Sequence, residues 1–308
     1  MKSIIAILIA LPFAAAAQPF YVVSSNTGAL QKYALDGDYL GDVIGPNNMK
    51  LGGPQHMAHQ NGRIFVAGYF NNLVSVVDLE TGQVGPQWAV PDASRPAFLR
   101  FNPAGDELWV SFIESNRVVR MNPETGEVLG DLFQRNLIQG PHGIDVLPDG
   151  SYLVASRDDG IYRVTAPDQA TRIAHIPAPG DARPLNAEVL ADGDTVVVTN
   201  FTDNTAQSLV KFSLSTGEYL GAFSATTGRR GDGLIRGHDG NLYAVFYGST
   251  LPGGGSVAKY NDNGEFLGHL VPTGGALQQA NAIILIPAPP PVATGAAFLL
   301  LATRRRRS

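Results

Sequence analysis

The sequence predicts an all-β fold: a six-bladed β-propeller, four antiparallel strands per blade, with the ring closed by N- and C-terminal strands. Three observations predict it. A strand–turn–strand unit recurs six times at a spacing near 45 residues, the period of a four-stranded blade. A second hairpin unit precedes it in five of the six places. The remaining place is matched by two strand-like segments at opposite ends of the repeat region.

The first unit occupies residues 30–43, 74–88, 117–132, 160–176, 209–223 and 257–270. Each copy is an alternating strand, a turn and a second strand. The turn is built on Gly37, Gly82, Gly126, Gly217 and Gly264, and the fourth copy uses Pro167-Asp168-Gln169 instead. Asp36-Gly37-Asp38 and Asn261–Glu265 mimic the start of a calcium loop but sit in this turn, where Asp and Asn are expected anyway.

The second unit fills 56–70, 97–112, 142–156, 186–201 and 233–247, with turns at Asn61-Gly62, Ala104-Gly105, Asp149-Gly150, Asp192-Gly193 and Asp239-Gly240. Asn-Gly and Asp-Gly supply the positive φ that tight hairpins need. For the copy at 257–270, residues 280–287 match the first missing strand and residues 18–26 the second. Joining them closes the ring and removes open sheet edges.

Composition narrows the function classes. The chain has 308 residues, 16% of them charged, and no cysteine. That excludes a disulfide framework, thiolate metal sites and cysteine catalysis. A net charge of −5 argues against a nucleic-acid partner. Setting aside residues 1–17 and 288–308 leaves 17 basic against 27 acidic residues, so the body carries about −10.

The two ends read as addresses. Residues 1–17 have a positive start, an apolar run and four alanines, the pattern of a signal peptide with cleavage after Ala17. The stretch from 286 onward has Pro287 and Pro289, an apolar segment at 292–302, then Arg304, Arg305, Arg306 and Arg307. Four arginines after an apolar run read as a stop-transfer signal. This tail, 288–308, resembles the PEP-CTERM class of sorting signals, with Ala288 where that class usually has Glu. The resemblance implies an exosortase-type partner, transient residence in the inner membrane, and delivery to the cell surface or extracellular matrix.

Across 18–287 the chain resembles the NHL, YVTN and gluconolactonase-like propellers. VAGYFNNLVSVVDLETGQV (66–84) is similar to a YVTN repeat and GPHGIDVLPDGSYLVAS (140–156) to an NHL repeat. These motifs imply fold and blade phasing; the superfamily holds enzymes and non-catalytic binders alike.

In such a ring the first strand of each blade lines the channel. Aligning the units places Gln55-His56, Ala97-Phe98, His142-Gly143, Leu185-Asn186, Asp232-Gly233 and Asn281-Ala282 at one channel mouth. Gln55, His56, His142, Asn186, Asp232 and Asn281 are its polar candidates, with Glu188 two residues beyond Asn186. Asn186, Asp232 and Asn281 would match three positions of the gluconolactonase-like ligand pattern, and His142 could join them around Ca²⁺, Mg²⁺ or Zn²⁺. The pattern's Glu is missing from the expected first blade.

Two functions follow as expectations. One is an exported binding or scaffold module of the envelope, with a polysaccharide or envelope protein as partner. The other is a metal-dependent hydrolase or lactonase-like enzyme. The incomplete ligand ring favours the first.

Overall fold

A computed structural model describes residues 19–176, 183–248 and 254–286. Ala17, Pro287, Pro289 and Arg304–Arg307 lie outside them. Blade 1 joins β24 (Ala280–Leu285) to β1 (Phe20–Ser24), β2 (Ala29–Tyr33) and β3 (Tyr39–Ile44). Blade 2 is β4 (Pro54–Gln60), β5 (Arg63–Gly68), β6 (Leu73–Asp78) and β7 (Val84–Ala89). Blade 3 is β8 (Pro96–Phe101), β9 (Leu108–Phe112), β10 (Arg117–Met121) and β11 (Val128–Asp131). Blade 4 is β12 (Pro141–Val146), β13 (Tyr152–Ser156), β14 (Gly160–Ala166) and β15 (Gln169–Ala174).

Blade 5 comprises β16 (Pro184–Val189), β17 (Thr195–Asn200), β18 (Leu209–Ser213) and β19 (Tyr219–Ala222). Blade 6 comprises β20 (Gly231–Arg236), β21 (Leu242–Phe246), β22 (Ser256–Tyr260) and β23 (Phe266–Val271). All pairings are antiparallel, and the fold is the six-bladed propeller that the repeats predict. Closure runs as expected: β24 is the inner strand of blade 1, and its register on β1 pairs Phe20 with Leu285 and Val22 with Ile283.

Burial explains the strand chemistry. The second strand of each blade is enclosed on both faces, so it reads as a run such as Leu108–Phe112 or Leu242–Phe246, buried at every position. Apolar side chains gather into six clusters, one at each blade-to-blade contact. In one of them Phe20, Val22 and Ile283 of blade 1 meet Val245, Val257 and Leu277 on the blade 6 side. Each fully buried Phe or Ile there contributes roughly 1.5–3 kcal/mol. The ring is therefore closed by side chains as well as by strand pairing.

The turn glycines have a second task. Gly37, Gly217 and Gly264 have φ of 96°, 72° and 79°, and a Cβ on each would strike a carbonyl oxygen of the preceding blade: Leu270, Ile173 and Phe223 respectively. Glycine here permits the turn and lets one blade's outer hairpin rest on its neighbour's outer edge. The divergent fourth copy makes the equivalent junction differently: Gln134 N–H donates to Pro167 O at 2.6 Å.

Candidate functional site

The inner strands stand side by side around the channel in the order β24, β4, β8, β12, β16, β20. At the start of every one, the pairing with the second strand gains one extra residue. The shifts fall at Pro54/Met57, Pro96/Phe98, Pro141/Ile144, Pro184/Asn186 and Gly231/Leu234, and at Val23/Ser24 opposite Ala280–Ala282. Bulges of this kind re-aim side chains at the rims of closed sheets.

The bulges separate the sequence candidates by depth. Gln55, His142 and Asp232 line a cavity of about 190 Å³ at the mouth, together with Leu185. His56 does not join them; it lines the cavity at the opposite end, its ring 4.0 Å from that of Phe98. Asn186 and Asn281 lie in the wall, 2% and 0% exposed. Strand alternation alone would place only one residue of each pair toward the channel; the extra residue brings the second inward, deeper down. Glu188 also lines the opposite cavity rather than the mouth.

Hydrogen bonds fix how the amides face. Asn281 Oδ1 accepts from Ser25 N–H (3.1 Å), so its Nδ2 donates to Gln55 Oε1 (2.6 Å) and Asp232 Oδ2 (2.7 Å). Asn186 Nδ2 donates to the Asp232 carbonyl at 2.8 Å, which Thr199 Oγ1 also reaches at 2.5 Å. The amides thus turn N–H groups, not oxygens, toward Asp232. This donor set does not fit a divalent cation, which wants converging oxygens. Among the described residues no three His, Cys, Asp or Glu side chains cluster for a metal.

Electrostatics make the floor neutral. Burial pushes the Asp232 carboxyl well above the usual carboxylate range, opposed in part by the Asn281 amide, and favours its protonated form. Burial also lowers His142 to about 3 and His56 to about 3, the latter with help from His142. Both imidazoles are uncharged at neutral pH. Leu99 N–H donates to His56 Nδ1 at 3.3 Å, whereas His142 Nδ1 is buried without a partner among the described residues.

Around this floor stands a rim that the sequence reading missed. The residue directly after each second strand is Ser25, Tyr69, Ile113, Arg157, Phe201 or Tyr247. Its N–H donates to the carbonyl of the residue before the first strand: Gln279, Gly53, Arg95, Gly140, Arg183 or Arg230, at 2.9–3.2 Å. All of these second-strand successors except Ser25 line the mouth cavity, as does Arg183. Arg95 and Arg230 hold positive φ, 57° and 55°, and lie over the rings of Tyr69 and Phe201 at 5.0 and 5.6 Å. The signal was present: VAGY, VSFI, VASR and VTNF end at the same blade position, at residues 69, 113, 157 and 201.

No family model matches the sequence, and no curated protein does. Solved structures share the fold. A Bacteroides caccae protein of unknown function is similar at 15% identity and a TM-score of 0.65, over 87% of this chain and 98% of that one. A chain of a nidogen/laminin complex is similar at 11% identity and a TM-score of 0.62, over 86% and 97%. A catalytically inactive virginiamycin B lyase from Staphylococcus aureus, solved with quinupristin, is similar at 17% identity and a TM-score of 0.53, over 74% and 73%. At these identities the likeness is one of fold, and it spans binding partners and enzymes alike.

Proposed function

We propose that the chain is an exported binding module of the cell envelope or extracellular matrix, holding a sugar unit of a polysaccharide at the channel mouth. The observation that carries this reading is a neutral hydrogen-bonding floor under a rim of three aromatic rings, with Arg157 and Arg183 beside them. Gln55, His142 and Asp232 offer donors and acceptors without net charge, which suits hydroxyl groups. Tyr69 and Phe201, each with an arginine over one face of its ring, and Tyr247 present aromatic surface to the cavity, which suits the C–H faces of a sugar ring. Leader and tail, with their signal-peptide and PEP-CTERM-like patterns, support export and an exosortase-type partner.

The test is calorimetric titration of the purified full chain with a panel of neutral and uronic-acid hexasaccharides. At least one should bind, and Tyr69→Ala and Phe201→Ala should each weaken it about tenfold. Retention of affinity in both variants, or silence across the panel, would overturn the reading. Export is tested separately. In a host without exosortase the full chain should fractionate with membranes, and deleting Arg304–Arg307 should release it; equal release of both forms would count against the sorting tail. Loading with Ca²⁺, Mg²⁺ or Zn²⁺ should leave less than a tenth of an equivalent bound, and a stoichiometric ion would restore the metal-dependent hydrolase.

A further inference from the structure

The opposite end of the channel holds the larger cavity, about 390 Å³, within the size range of small-molecule pockets. It shares no lining residue with the mouth. Its floor is the His56–Phe98 pair, and Ala58, Phe101, Leu234 and Ile235 give it apolar walls. Besides His56 in the floor, one polar or charged side chain reaches it from each of five strands: His59 (β4), Arg100 (β8), Asp145 (β12), Glu188 (β16) and Arg236 (β20).

Within the lining the formal charges balance, two arginines against two carboxylates, but the pairing is uneven. Arg100 Nη1 donates to the Ile144 carbonyl (2.8 Å) and to Asp145 Oδ1 (2.5 Å). Arg236 Nη1 donates to the Gly240 carbonyl (2.7 Å) and to Asp262 Oδ1 (2.8 Å). Each guanidinium is thus matched by an aspartate. Glu188 is left with one long contact, 3.3 Å to Arg236 Nε. Burial lowers His59, so it adds no positive charge at neutral pH. Counting Asp262, which lies outside the cavity lining, two arginines meet three carboxylates, and Glu188 is the carboxylate with the weakest partner, in an apolar-walled pocket.

We propose that this far cavity is a second binding site, for a small monoamine whose ammonium group meets Glu188 and Asp145 while its apolar body rests on His56 and Phe98. The occupant is an organic cation and not a bare metal ion, because the walls are hydrocarbon and the floor aromatic. Binding is coupled to a proton. In the free protein burial and the Asp145 charge raise Glu188 to about 7, against the pull of Arg236 and Arg100. An ammonium favours the ionised carboxylate, so below that value binding releases a proton, and affinity rises from pH 5 to pH 8.

Benzylamine tests this, with benzyl alcohol as the neutral match and benzoate as the anionic one. Calorimetry of the full chain in two buffers of different ionisation heat should show benzylamine binding with close to one proton released at pH 5.5 and almost none at pH 8.5. Glu188→Gln should cost at least tenfold in affinity and abolish the proton release, with its circular dichroism unchanged. Equal binding of benzyl alcohol, preference for benzoate, pH-independent affinity or silence at millimolar benzylamine would each overturn the proposal. The comparison of the three probes on the unmodified chain stands even if the variant fails to fold. Because the cavities share no residue, failure here leaves the sugar reading of the mouth untouched, and the converse holds.

Discussion

His56 and His142 are buried imidazoles whose folded-state values, both about 3, lie far below the ordinary 6.5. A base depressed in this way contributes stability above its ordinary value and loses it as pH falls toward the folded value. Each histidine adds up to about 1.4 kcal/mol per pH unit to the slope between pH 6 and pH 4. Urea midpoints measured across that window should fall steeply in the unmodified protein. In His142→Gln they should fall less; an unchanged slope would mean that His142 is charged in the folded state. Glu188 works in the opposite sense: raised to about 7, it favours the folded state at acid pH and withdraws that support as pH rises from about 5 to 7. The residue types of the mouth's floor, Gln55, His142 and Asp232, were legible in the sequence, but the rim and the orientation of the buried amides were not. Which way Asn281 and Asn186 turn is decided by Ser25 N–H and the Asp232 carbonyl, partners that lie far off along the chain.

Strands and turns were the most legible level, because glycine punctuation and alternation are local properties. What local pattern cannot show is the neighbour beyond the hairpin. Gly240 and Gly264 look alike in sequence, each in a tight turn with φ of 79°. A Cβ on Gly240 meets open space, whereas one on Gly264 strikes the Phe223 carbonyl of the preceding blade. Gly240→Ala should therefore cost only the left-handed strain, about 1–2 kcal/mol. Gly264→Ala should cost that plus a blade displacement, about 3 kcal/mol or more in total. Equal losses of melting temperature in the two variants would refute the docking role. The bulge at the start of every inner strand was equally invisible, and it is why His56 parted company with Gln55. The exposed leucines at 40, 129, 220 and 267 recur on the outer strands of four blades, a regularity that the six-fold reading explains as position rather than core.

Closure belongs to the whole molecule, and the sequence announced it by leaving one repeat without its partner strands. Val22 and Ile283 are direct partners across that seam and are both buried. The chain has no cysteine, so Val22→Cys with Ile283→Cys would give an unambiguous bridge. It should form spontaneously under oxidising conditions, visible as a mobility shift on a non-reducing gel. It should also raise the melting temperature, because it locks a loop of nearly the whole chain, worth roughly 5 kcal/mol at the entropic limit. A chain stopped after Gln279 should lose cooperative unfolding. The far cavity escaped the sequence reading for a related reason: it takes a few residues from each of five blades, and no motif runs across them.

The pairing of Phe20 with Leu285 fixes an orientation for the disc. Strand β1 runs toward the mouth and β24 away from it, so the described chain enters and leaves side by side on the face that bears the larger cavity. A hold at the first or last described residue, from a membrane, a matrix or a bead in an experiment, therefore grips the disc from that one side. The mouth would then point outward into the medium, and the larger cavity would look back toward the anchor. Immobilising the chain at Ile286 should leave the mouth accessible, with crowding at the attachment surface falling on the opposite cavity.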